Sequence, residues 1–177
     1  MWPSMPSSPS PVPTVWRTVR RGNVAAMTRI AVGADHAGFR LKDELATYLR
    51  TSGHEVLDLG TNSPESVDYP DYGAAVARAI VAGEADLGLA CCGTGLGIAM
   101  AVNKIHGGRG APCHDVTSAR LARAHNNANV ICFGERLTGP EVAREALDIF
   151  LSTTFEGGRH ARRVEKLTVL EQEYDPG

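Results

Sequence analysis

Short apolar runs of strand length alternate with segments of helical period along this chain, and that alternation limits the folds open to it. Residues 29–33 (RIAVG) read as a buried strand, after which Leu41, Leu45 and Leu49 recur every fourth residue until Gly53. Residues 55–59 (EVLDL) form a second strand, and Tyr72, Val76 and Ile80 mark a second helix closed by Gly83. Residues 87–91 (LGLAC) are a third strand, followed by a short helix over 95–103. A short strand over 109–113, a helix capped by Asp115 and running through His125, and a strand over 130–133 (VICF) continue the pattern. Thr138 with Glu141 three residues later predicts a capping box. Val142, Ala146, Ile149 and Phe150 then form one helix face, and the basic run 157–163 (GGRHARR) leads into a last helix ending near Tyr174. Strand–helix alternation with short connections predicts an α/β fold, a three-layer Rossmann-like sandwich around a five-stranded parallel sheet. Ligands in such sheets bind at the carboxyl ends of the strands. That rule singles out the loops at 34–38, 92–97 and near Asn126.

Residues 1–27 have a different character. They hold five of the ten prolines, both tryptophans and no periodic apolar pattern, so we expect a disordered extension ahead of one domain over 28–177. Met27 stands one residue before the domain and is a candidate natural start. Lys plus Arg number 18 against 20 Asp plus Glu, which argues against a broad basic field for nucleic acid. No apolar stretch reaches membrane-spanning length. The four cysteines show no CxxC pairing, so the expectation is no metal site, no disulfide framework and a reducing, cytoplasmic setting.

The most informative stretch is Cys91-Cys92-Gly93-Thr94-Gly95-Leu96-Gly97. Glycines at alternate positions between a strand and a helix let successive amides converge on an anion. A cysteine at the rim can act there as base or nucleophile. The same residues also fit a tight turn with buried thiols. Cys91 and Cys92 face opposite sides of a strand, so at most one serves a site. The spacing is GxGxG after the third strand, which is not a dinucleotide fingerprint. Asp35 and His36 follow the first strand at the ligand end, or else cap the next helix. His125 ends a helix, where a histidine also serves as a dipole partner. Tyr69 precedes a helix in a turn-like run. Arg159, His160, Arg162 and Arg163 form either a solvated charged face or a phosphate clamp.

Five segments in order, GADHAGFRLK (33–42), DYPDYG (68–73), CCGTGLGIAMAVNK (91–104), ARAHNNANVICFGER (122–136) and EGGRHARRVE (156–165), carry a resemblance. Residues 28–174 resemble the type B ribose-5-phosphate isomerases, which group with the galactose-6-phosphate isomerase subunits. The resemblance implies an aldose–ketose isomerase of a phosphorylated sugar, most readily ribose 5-phosphate, working without cofactor. It implies Cys92 as the base moving a proton between C1 and C2, with Thr94 assisting. Gly93, Gly95, Leu96 and Gly97 match the loop that stabilises the enediolate, and Asn103 a residue near it. His125 matches the histidine that opens the furanose ring. Asp35, His36, Tyr69 and Asn126 match sugar contacts, and Arg136, Arg159, His160 and Arg163 the phosphate set. It further implies a homodimer, or a tetramer, with sites shared between subunits.

Residues 107–112 (GGRGAP) depart from the family's more common GIRAA run, and Pro112 suits only an edge or irregular strand. The same chemistry on a tetrose or hexose phosphate is one alternative, and a non-catalytic sugar-phosphate-binding protein is another. Thiol redox chemistry at Cys91-Cys92 is disfavoured, because adjacent cysteines bridge only under strain.

Overall fold

Five short parallel strands form the middle layer, in the order β2-β1-β3-β5-β4. The computed structural model describes residues 27–173, so the expected disordered extension lies, but for Met27, outside the described residues, as does Tyr174. The strands are β1 (Arg29–Ala34), β2 (Glu55–Asp58), β3 (Leu87–Cys92), β4 (Gly110–Pro112) and β5 (Val130–Gly134). The helices are α1 (Phe39–Thr51), α2 (Tyr69–Val81), α3 (Leu96–Val102), α4 (Val116–Asn126), α5 (Pro140–Ser152) and α6 (Arg159–Glu173).

Alternation along the inner strands divides the apolar residues between two faces. Ile30, Val32, Leu89, Cys91, Ile131 and Phe133 pack against α1, α4 and α5 through Leu41, Leu45, Ala119, Ala122, Leu147 and Phe150. Ala31, Ala90, Cys92, Val130 and Cys132 pack against α2 and α3 through Val76, Ala77, Ile98 and Val102. Strands are added to one side of β1 and then to the other, so β1 and β3 flank the switch point whose carboxyl end such folds use for ligands.

Two sequence expectations need correction. The first is the capping box at Thr138 and Glu141. Pro140 takes the first helical position of α5, for which its fixed φ and missing N–H suit it, and the cap moves to Gly139. Glu141 is then one position too early, and the Thr138 hydroxyl is buried without a hydrogen-bond partner. The second is the extent of β4, which is three residues long, not five. Its outer position in the sheet accommodates Pro112, paired with Cys132 on its inner side. Asn103 is the residue expected near the anion loop. It follows the last residue of α3, roughly 10 Å along the axis from Leu96 at the helix rise per residue. There its side chain donates to Gly110 O at 3.0 Å and accepts from Gly110 N at 2.7 Å.

Candidate active site

The carboxyl edge of the sheet gathers part of the expected set. Strand pairing places Ala34 opposite Cys91 and Cys92 opposite Gly134, so three loops leave the sheet side by side. Gly38 lies so close to the third-strand end that an added Cβ would stand 2.5 Å from the Cys91 carbonyl carbon. Gly134 is held equally tightly against Thr94, at 2.4 Å. Neither contact tolerates a side chain, which is why glycine stands at both positions.

Cys92 ends β3 on the α2–α3 side with little exposure, and its Sγ accepts a hydrogen bond from Gly95 N at 3.1 Å. Gly95 itself adopts a left-handed φ of 78°, which swings this amide back over the sulfur and starts α3. Thr94 is half-buried, and its Oγ1 accepts from Leu96 N at 3.4 Å. Arg136 extends its guanidinium over Gly93, where an added Cβ would meet Cζ at 3.2 Å. The Tyr69 ring covers Gly97 in the same way, at 2.8 Å. Buried Asp35 closes a turn through Ala37 N at 2.9 Å, and its own N–H donates to Cys91 O. His36 Nδ1 lies 3.1 Å from Val67 O, tying the first loop to the segment that carries Tyr69. A thiol, a hydroxyl, backbone amides and a guanidinium therefore gather at one loop.

The thiols differ in setting. Burial pushes the Cys91 thiol far up, and Cys132 as well, while Cys113 is pushed up to about 11 by the same cause. All three are unfit as bases at neutral pH.

The remaining residues gather elsewhere. α4 runs back across the sheet, and only three residues separate its end from β5. His125 and Asn126 therefore lie at the amino end of β5, whereas Cys92 pairs with Gly134 at its other end, one strand length or roughly 13 Å away. His125 and His160 stack with ring centroids 4.1 Å apart and planes 8° from parallel. Glu156 Oε2 lies 3.6 Å from His125 Nε2 and 3.8 Å from His160 Nε2. Arg159 Nε donates to His160 Nε2 at 3.3 Å, and Arg163 adds positive charge nearby. These three ligand-type groups are the metal-like cluster among the described residues. The guanidinium on the His160 lone pair suits the cluster to an anion rather than a divalent cation. Asn126 is exposed and borders a groove of about 620 Å³ with Asn103, Arg109 and Leu170.

The family model described as Ribose/Galactose Isomerase matches residues 30–167. The chain belongs to the ribose/galactose isomerase family. Ribose-5-phosphate isomerase B of Escherichia coli (strain K12) is 48% identical over 146 residues, 82% of this chain and 98% of that protein. D-erythrulose-4-phosphate isomerase of Pectobacterium atrosepticum is 42% identical over 148 residues, 83% and 97% of the two chains. Among solved structures, ribose-5-phosphate isomerase B of Clostridium thermocellum superposes with a TM-score of 0.82 at 48% identity, covering 83% of this chain and 99% of that one. Every candidate site residue named from the sequence falls inside the segment that the family model matches.

Three residues of this family member carry polar contacts that sequence reasoning did not assign. Glu135 Oε2 accepts from Leu41 N at 3.1 Å and so caps α1 from 94 positions away, while its own N–H donates to Cys92 O at 2.9 Å. Glu156 bridges the two histidines. Lys42 is fully buried and donates to Asp58 and Asn62. No local pattern announces the partners Leu41, His125 and Asp58, because those contacts join segments distant in the sequence, whereas Glu156 and His160 are four residues apart.

Proposed function

We propose that this chain interconverts ribose 5-phosphate and ribulose 5-phosphate, with Cys92 as the base, in a homodimer whose sites combine residues of two copies. It is a sugar-phosphate isomerase of the ribose-5-phosphate isomerase B type. The observation that carries the finer reading is the Cys92 sulfur seated against Gly95 N, with the Arg136 guanidinium across the same loop.

The proposed sequence has two stages. His125 of a second copy moves a proton between the anomeric hydroxyl and the ring oxygen, because imidazole is the side chain suited to that exchange near neutrality. The open-chain aldose then loses its C2 proton to the Cys92 thiolate. Charge develops on O1, where the loop amides and Thr94 stabilise it; the O2 hydroxyl proton passes to O1, and the proton held by Cys92 returns at C1, leaving the carbonyl at C2. Asp35, His36, Tyr69 and Asn126 orient the sugar. Arg136, with Arg159, His160 and Arg163 of the second copy, holds the phosphate away from the reacting carbons. The proton transfers need no metal or organic cofactor. Two copies enter the proposal because the distance along β5 separates His125 from Cys92 within one chain. A single domain over 28–177 and a cytoplasmic setting belong to the same proposal, and no helix of the described residues is long and apolar enough to cross a membrane.

A tetrose phosphate is the second reading, favoured by the similarity to the D-erythrulose-4-phosphate isomerase. An NMR time course over ribose 5-phosphate, erythrulose 4-phosphate, galactose 6-phosphate and allose 6-phosphate separates the two. The expected result is fastest turnover of ribose 5-phosphate. Cys92→Ala should lower turnover by roughly 10²–10⁴-fold, the usual worth of a positioned base, and Cys91→Ala should leave it largely intact. Equal loss in both variants, or full activity in Cys92→Ala, removes Cys92 from the mechanism.

A further inference from the structure

Glu156 has no place in the chemistry described so far, yet it is firmly held beside His125. Its backbone N–H donates to Ala124 O at 3.0 Å, fixing it against the last turn of α4. Gly157 and Gly158 follow with φ of 68° and 54°, values open to glycine at little cost. They turn the chain so that α6 starts at Arg159 and His160 returns over the His125 ring. The Glu156 carboxylate then faces Nε2 of both imidazoles. His160 Nε2 already accepts from Arg159 Nε, which leaves its proton on Nδ1 when the ring is neutral. Burial, and then the neighbouring His125 and Arg159, hold His160 below the usual histidine range. Of the two imidazoles, His125 is the one left to turn an N–H toward the carboxylate, 3.6 Å away.

We propose that Glu156 is a positioning residue, whose carboxylate holds the Nε2–H tautomer of His125 and leaves Nδ1 as the basic nitrogen. This rests on the ring-opening role proposed for His125. The proton balance closes. Nδ1 takes the proton of the anomeric hydroxyl as the bond from C1 to the ring oxygen breaks, and returns it to that oxygen, while the Nε2 proton stays on the Glu156 side. The stacked His160 ring restricts rotation of His125. An exposed charge pair adds little stability on its own, so the effect is on geometry and tautomer rather than on folding. A second-shell carboxylate commonly serves a histidine in this way.

Glu156→Ala and Glu156→Gln in the full chain provide the test, since both keep the backbone anchor to Ala124. The first readout needs no catalysis: long-range proton–nitrogen NMR of the neutral His125 ring. Wild type should show the Nε2–H form alone, Glu156→Ala should show a rise in the Nδ1–H form, and Glu156→Gln, with its carbonyl oxygen, should restore the wild-type pattern. The second readout is kinetic. Glu156→Ala should lower kcat on ribose 5-phosphate by roughly tenfold or more, within the range that acid–base groups contribute. It should leave KM and the turnover of a tetrose 4-phosphate, which cannot cyclise, nearly unchanged, and Glu156→Gln should recover most of the loss. Unchanged tautomer populations in Glu156→Ala, or equal loss on both sugars, overturns the proposal. If wild type isomerises no sugar phosphate but the tautomer shift occurs, the positioning role stands and the ring-opening role falls.

Discussion

Among the described residues Lys42 is the largest side chain with no solvent exposure, and its ammonium is accommodated by its partners. Nζ lies 2.9 Å from Asp58 Oδ1, 2.8 Å from Asn62 Oδ1 and 2.8 Å from Asp43 Oδ1. Asp58 Oδ2 lies at 3.1 Å, so the ammonium faces oxygens of three residues, joining α1 to the end of β2. Removing one member of a buried pair leaves the other uncompensated. Lys42→Ala should therefore lower unfolding stability by about 3 kcal/mol or more, read as a lower denaturant midpoint with unchanged slope. A loss within experimental scatter would mean that Asp58, itself partly exposed, is adequately solvated without its partner. At this scale the sequence was legible where the pattern is local. Adjacent Cys91 and Cys92 fall on opposite faces of β3, as strand geometry requires. Lys42 was not legible, because a lysine in a helix reads as surface until a partner 16 residues away is known.

The helices separate local from distant capping. Asp115 is the local case: its Oδ1 accepts from Thr117 N at 2.7 Å and Ser118 N at 2.8 Å, completing a capping box with Ser118. The Ser118 amide, and after it the Thr117 amide, hold the Asp115 carboxyl below its ordinary value of 3.8. A depressed carboxylate stabilises the fold above the unfolded-state value, and its contribution is lost as pH falls through the folded-state value. The melting-temperature gap between wild type and Asp115→Ala should thus be full at neutral pH and should narrow below about pH 4. A gap that widens in acid would contradict the assignment. Glu135 is the distant case, capping the third amide of α1 from the end of β5. Glu135→Ala should cost about 1 kcal/mol, as a lost N-cap does, and Glu135→Gln should cost less because it keeps an acceptor. Periodicity located α1, α2 and α5, and short apolar runs the inner strands, since helix and strand periods are local. It misassigned the start of α5, where a proline at the first helical position outweighs the Thr138–Glu141 pattern.

For the whole molecule, the sheet and its ligand edge follow from alternation alone, and the site residues from the family resemblance. The resemblance implies a site shared between subunits, and the structure adds that the candidate residues, with Glu156, form two groups on opposite edges of the sheet. Asp35, His36, Tyr69, Cys92 and Arg136 gather at the carboxyl edge, and His125, Glu156 and His160 at the other. The separation is a property of the antiparallel return of α4, and it makes the shared site a geometric requirement of the proposed chemistry. Subunit mixing tests this most directly. Cys92→Ala and His125→Asn, each inactive on ribose 5-phosphate alone, are combined in equal amounts, and exchange is verified by mass. A mixed dimer then holds one site with Cys92 from one copy and His125 from the other. Random pairing of two-fold dimers should restore about a quarter of the wild-type rate. Mixed dimers that form and remain inactive would show that both residues serve within one chain, contradicting the shared site.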